Sequence, residues 1–178
     1  MSTVPLFCDV DGVLNALGPA PPGDHRLVVQ VESLRREIFP IRYDPRVVDG
    51  LNALTDSGLM ELIWVSTWSA SARDRLAPAI GLEGGGQVLA DANDPSLARH
   101  PYDANREWWK LQLLLDEIAG DPTRPVIWAD DDLDDGTRAR WPELHPGPSL
   151  LITPDSGAGL TMHDVDLMAD FVHRHAAS

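Results

Sequence analysis

The chain has 178 residues, 43% hydrophobic and 24% charged, which fits one globular domain with a sizeable core. Its net charge of −14 argues against broad nonspecific nucleic-acid binding, which rests on Lys and Arg neutralising phosphates, but leaves room for a local basic pocket. No apolar stretch approaches the roughly 20 residues of a membrane span, MSTVPLFCDV lacks the features of a signal peptide, and the lone Cys8 can form no internal disulfide, so a cytoplasmic protein is expected.

VPLFCDV reads as a short strand buried on both faces, the kind found in parallel sheets. An irregular Pro/Gly-rich loop, ALGPAPPGD, follows it. The β-branched clusters VVQV and IFPI then predict a hairpin-like flap over about 25–43. In DPRVVDGLNALTDSG, apolar residues at 47, 48, 51 and 54 have helical spacing, with Gly58 as the stop. LMELIWVSTWS is a second strand ending in hydroxyls, and SARDRLAPAIG a short helix. GGGQVLADANDPSLARH is loop with one brief strand. DANREWWKLQLLLDEIAG predicts the strongest helix, capped by Asp103, with Trp108, Leu111, Leu115 and Ile118 as its apolar stripe. RPVIWADDDLDD is a third strand running into acid, SLLITPD a fourth, and GLTMHDVDLMADFVHRH a closing amphipathic helix.

Strands alternating with helices predict an α/β domain with a mostly parallel sheet, whose ligands sit beyond the carboxyl ends of the strands. Three such ends carry polar groups: Asp9 and Asp11, then Ser66 and Thr67, then Asp130 and Asp131. One such end is unremarkable; three suggest a site. Carboxylates gathered at one sheet edge call for a hard cation, and oxygen ligands without His or Cys suit Mg²⁺ held together with a substrate phosphate. Within DVD, one carboxylate could attack phosphorus while its neighbour handles protons. The hydroxyls of Ser66 and Thr67 could hold a phosphoryl oxygen. Lys110, the single lysine among 14 basic residues, could balance developing charge.

DVDGVLN, the hydroxyl in IWVSTW, the lysine in WWKLQ and the acidic WADDDLDD stand in the order found in the haloacid dehalogenase (HAD)-like superfamily, which the chain resembles from Val4 to about His175. The resemblance is closest to small HAD-like domains, some of them associated with RNA repair proteins. It implies a Rossmann-like three-layer α/β/α fold in a single domain over 1–178, Mg²⁺ dependence and phosphatase activity on a phosphorylated substrate. Carried over by position, Asp9 matches the nucleophile and a metal ligand. Asp11 matches the general acid/base, and its backbone carbonyl also faces the metal. Ser66 matches the phosphate-binding hydroxyl, with Thr67 as the competing choice. Lys110 matches the charge-stabilising lysine. Asp130 matches the main acidic ligand, and either Asp131 or Asp134 the second, because ADDDLD satisfies both spacings of that element.

No segment is long enough for a separate large cap domain, a feature of members with open sites that accept large substrates. Val13 stands where many relatives have threonine. Of the six tryptophans, Trp64 and Trp128 are expected in the core. Trp68 is placed at the mouth of the site, where a nucleotide or nucleic-acid end could meet it. Two rival readings are a non-enzymatic phospho-acceptor, disfavoured because the middle strand ends in hydroxyls rather than an aspartate, and a partner-binding scaffold that has lost activity.

Overall fold

The computed structural model describes residues 3–20, 23–83, 85–89 and 108–176. Strand β1 (Val4–Cys8) lies at the centre of a five-stranded, wholly parallel sheet with β4 (Met60–Trp64) on one side and β6 (Val126–Ala129) on the other. Outside these run β5 (Gln87–Val88) and β7 (Ser149–Ile152). A central strand buried on both faces has no polar face to present, and all five residues of VPLFC are buried.

The alternation of side chains along the strands feeds two separate cores, one on each face. Val4, Leu6 and Cys8 pack with helices α1 (Pro45–Asp56) and α5 (Met162–His175) and with the helical segment at Ala72–Leu76, a π-turn, that continues as α2 (Ala77–Ile80). Phe7, Ile63, Val126 and Trp128 face the other way, toward α3 (Trp109–Ile118) and Trp141 of α4 (Asp135–Leu144). The result is a Rossmann-like three-layer α/β/α arrangement. Asp44 caps α1 ahead of Pro45, and a capping box between Thr161 and Asp164 starts α5. Gly58, at φ +71°, turns the chain out of α1 as the sequence suggests.

Between β1 and α1, strands β2 (Leu27–Glu32) and β3 (Ile38–Tyr43) form an antiparallel hairpin, paired from Leu27↔Tyr43 to Glu32↔Ile38. Only Val31 and Ile41 sink fully into the core, and they anchor the hairpin, whereas Val28, Ile38 and Phe39 stay exposed. No large cap domain is present among the described residues.

Two local expectations change. The buried face of α3 carries Leu114 instead of Leu115, and it includes Lys110. Leu114 lies three residues beyond Leu111, on the side that faces the sheet. The cap expected from Asp103 falls outside the described residues. Helix α4 has no counterpart in the sequence reading, since DGTRARWPEL offers one buried apolar side chain, Trp141, and contains Pro142, so it carries no periodic signal.

Candidate active site

The parallel register sets the site. Cys8 lies opposite both Trp64 and Ala129, so the next residues, Asp9 and Asp130, leave adjoining strands at the same height. The Asp9 amide still donates to the Ala129 carbonyl at 3.1 Å, and that bond fixes the spacing. On the other side Ser66 follows Val65, whose amide continues the β1–β4 ladder to the Cys8 carbonyl. The three polar strand ends therefore meet at one sheet edge.

Lys110 enters from the first turn of α3, whose Leu111, Leu114 and Ile118 bind the helix to the sheet. Its side chain is only 5% exposed, and its Nζ pairs with Asp9 Oδ2 and, at 2.8 Å, with Asp130 Oδ2. The rings of Trp108 and Trp109 lie 5.5 and 5.8 Å from the same ammonium and shield it further. The other carboxylate oxygens are held by backbone: Val10 N–H donates to Asp9 Oδ1 at 2.6 Å, and Asp132 N–H to Asp130 Oδ1 at 3.0 Å. Every oxygen of these two buried aspartates thus has a partner.

Asp131 completes the group: one carboxylate oxygen each from Asp9, Asp130 and Asp131 lie within 4.8 Å of one another. It leans onto the DVDG turn so closely that a Cβ added to Gly12 would sit 2.1 Å from its Oδ2. Gly12 also has φ +71°, so both its conformation and its bareness are required there.

One ammonium facing three carboxylates leaves excess negative charge in a poorly solvated place. Burial pushes the Asp130 carboxyl up to about 7; Lys110 opposes the rise and Asp9 adds to it. Burial, followed by the neighbouring Asp132 and Asp9, raises Asp131 to about 6. Burial alone would lower the Lys110 ammonium, but Asp9 and Asp130 more than offset it, so its affinity for the proton rises. The Cys8 thiol, fully buried, is pushed well up by burial and by Asp9 and Asp130, which leaves it a core side chain and not a nucleophile. A compact, anionic, all-oxygen donor set with elevated carboxyl pKa values fits a small hard cation such as Mg²⁺.

Asp11 stands apart from this cluster. It is half-buried, and each of its oxygens accepts from a neutral donor: Oδ1 from Asn15 Nδ2 at 2.8 Å and Oδ2 from Trp68 Nε1 at 2.9 Å. It borders an open cleft of about 390 Å³ lined also by Thr67, Trp68, Arg35, Phe39 and Ser71. Phe39 of the hairpin meets Trp68 edge-on, with ring centroids 5.2 Å apart.

The two candidate hydroxyls differ sharply. Ser66 is buried, and its Oγ lies 3.4 Å from the Trp68 amide, whereas Thr67 is exposed on the cleft wall. Asp134 lies outside the group of three; its carboxylate caps α4 by accepting from Thr137 N–H, which holds its pKa down. Trp64 and Trp128 are core residues, and Trp108 stacks on Trp128 at 5.2 Å. His145 is buried against Trp141, and His163 is exposed. The sequence reading gave Asn15 no role and Trp68 only a place at the rim. The position of Asn15 four residues after Asp11, inside the same tight turn, was the available signal.

No curated protein and no solved structure matches the chain. A family model described as "HAD domain in Swiss Army Knife RNA repair proteins" matches residues 5–165. That span takes in the DVDG turn, the hydroxyl strand end, Lys110 and the acidic end of β6, all of which converge at one edge of a parallel sheet. The chain belongs to this family of HAD domains.

Proposed function

We propose that the chain is a Mg²⁺-dependent phosphomonoester hydrolase that works through an aspartyl-phosphate on Asp9. The observation that carries this reading is the buried Lys110 ammonium clamped between Asp9 and Asp130, with an oxygen of Asp131 close by. A surface ion pair needs no such burial. A site that must meet a dianionic phosphate beside carboxylates does need preorganised positive charge.

The side chains of Asp9, Asp130 and Asp131 would hold the cation, with the Asp11 carbonyl facing it and Asp134 as the alternative acidic ligand. Bound there, Mg²⁺ would neutralise phosphate and carboxylate charge together. Asp9 attacks phosphorus, the bond to the ester oxygen breaks, and Asp11 passes its proton to that oxygen. In the second half, Asp11 accepts a proton from water as the water attacks phosphorus, and the bond from Asp9 to phosphorus breaks to release inorganic phosphate. Lys110 offsets the charge that builds up on Asp9 and the phosphoryl oxygens. Ser66, or Thr67 from the cleft wall, binds a phosphoryl oxygen.

The substrate we infer is a phosphorylated nucleotide or nucleic-acid end. Support comes from the aromatic pair Trp68 and Phe39 beside Asp11, from a cleft with no large cap over it among the described residues, and from the RNA-repair context in the family's description. The acidic surface fits recognition of an end and not of a long backbone. A panel of phosphorylated sugars, nucleotides and 5′- or 3′-phosphorylated oligonucleotides, assayed with Mg²⁺ and with chelator, tests the proposal. Release of phosphate only with the metal, fastest from nucleotides or oligonucleotides, is expected. Indifference to chelator would overturn the metal dependence, and a preference for sugar phosphates the substrate class. A phosphorylated protein that never turned over would point to a phospho-acceptor.

A further inference from the structure

Asp11 has to present its carboxyl to the leaving oxygen, and nothing in the metal cluster holds it. We propose that Trp68 and Asn15 are positioning residues for Asp11, and that strand β3 of the hairpin holds both of them in place. The inference rests on the phosphatase reading above for what Asp11 does, but on contacts alone for what holds it.

Three contacts converge. The Trp68 indole N–H takes one oxygen of Asp11 and the Asn15 amide takes the other, at 2.9 and 2.8 Å, which fixes the plane of the carboxyl group. Asn15 is 6% exposed and its Oδ1 accepts from the Arg42 N–H of β3 at 3.0 Å. A backbone N–H can only donate, so that bond makes Oδ1 the acceptor and leaves Nδ2 to donate to Asp11. The turn is closed by Gly12 N–H donating to the Asn15 carbonyl at 2.9 Å, and the Ala16 amide ties it again to the Arg42 carbonyl at 2.8 Å. Trp68 reaches the same strand by another route, since its ring is braced edge-on by Phe39.

The hairpin is therefore more than a cover. Its β3 strand touches both donors of Asp11 at positions three residues apart, 39 and 42, and Ile41 between them is wholly buried and anchors the strand in the core. A ligand that enters the cleft and presses on Phe39 or Trp68 acts on Asp11 through one hydrogen bond. Binding in the cleft and the orientation of the acid are thereby linked.

Two measurements on the full chain test this. Trp68→Phe keeps an aromatic ring beside Phe39 while it removes the N–H and the smaller ring of the indole that carries it. An alkyl phosphomonoester needs its leaving oxygen protonated, whereas p-nitrophenyl phosphate releases a stable phenolate. The kcat/KM of the variant should fall at least about tenfold further for the alkyl ester than for the aryl ester, a fraction of what a general acid contributes. Equal losses on the two esters would overturn the positioning role and leave Trp68 a packing residue. In the second measurement, the indole N–H resonance of Trp68, assigned through its loss in Trp68→Phe, should move on Asp11→Ala and on Phe39→Ala. A resonance unmoved by Asp11→Ala overturns the contact itself. A wild-type protein inactive on both esters would overturn the phosphatase reading, and the acid role with it, and the indole shift reports on the hold independently.

Discussion

Asp9 and Asp11 are separated by one residue and live in opposite surroundings. Asp9 is buried beneath the sheet edge, bound to a lysine from α3 and a backbone amide, and crowded by Asp130 and Asp131. Asp11 faces the cleft, takes two neutral donors, and depends on the hairpin. Strand β1 ends at Cys8, so the two residues lie in the turn beyond it and not on an alternating strand, which would send both side chains the same way, and the tight turn at Gly12 keeps them near each other. A nucleophile benefits from fixed charge balance, and an acid/base benefits from access to solvent and the leaving group. On the proposed roles of Asp9 and Asp11 the two environments would supply those needs separately, so substitutions around each should have distinguishable effects.

The largest expected effect is on the Asp9 side. Asp9→Asn keeps the shape and removes the attacking carboxylate, and turnover should fall on the order of 10⁴-fold or more, as loss of a nucleophile does elsewhere. Full activity in steady-state assays would remove Asp9 from that role. Lys110→Met should cost both activity and stability. It leaves Asp9 and Asp130 buried without their counter-charge, a loss of about 3–5 kcal/mol for a broken buried pair. Urea denaturation measures it, and saturating Mg²⁺ should recover part of the loss. A variant as stable as wild type without metal would mean the ammonium contributes little.

The pH dependence sharpens the same contrast. Asp130 and Asp131 rise from 3.8 to about 7 and about 6 in the folded chain, so between those values the folded state holds protons that the unfolded state has released. Their contribution is fully present below about pH 4 and is lost as pH rises toward about 7, so they make the metal-free protein less stable across that window. Mg²⁺ prefers the ionised carboxylates, so the stabilisation it gives should grow over the same range. Thermal melts at several pH values, with and without Mg²⁺, read both trends. A metal effect constant with pH would detach the ion from this cluster. The smallest effect is expected at Asp134: its replacement by alanine should cost about 1 kcal/mol as a lost helix cap, with Mg²⁺ affinity unchanged. Weakened Mg²⁺ binding would bring Asp134 into the ligand set.

Much of this was legible in the residues. The apolar runs ending at Cys8, Val65 and Ala129 gave the parallel strands, and their polar ends gave the Asp9, Ser66 and Asp130 edge. Lys110 stood out as the single lysine, and its burial explains why a compact ammonium is used there. What could not be read depends on side-chain placement across distant segments. Nothing local tells that Trp68 reaches Asp11 or that Phe39 braces Trp68, because 57 positions separate the first pair. The same limit applies to Asp131 and Asp134: their spacing is ambiguous, and it takes the placement of Asp131 beside Asp9 and Asp130 and over Gly12, against the helix cap made by Asp134, to distinguish them in space. Helix α4 escaped because one tryptophan is too little to show a period.

The proposed mechanism requires that Asp9 become phosphorylated during turnover. Acid quenching of the wild-type protein during reaction with a phosphomonoester and Mg²⁺, followed by mass spectrometry of its peptides, addresses it directly. One phosphoryl group is expected on the peptide carrying Asp9, appearing before product accumulates and disappearing as substrate is exhausted. Sustained turnover with that peptide unmodified, or a phosphoryl group on any other residue, would contradict it.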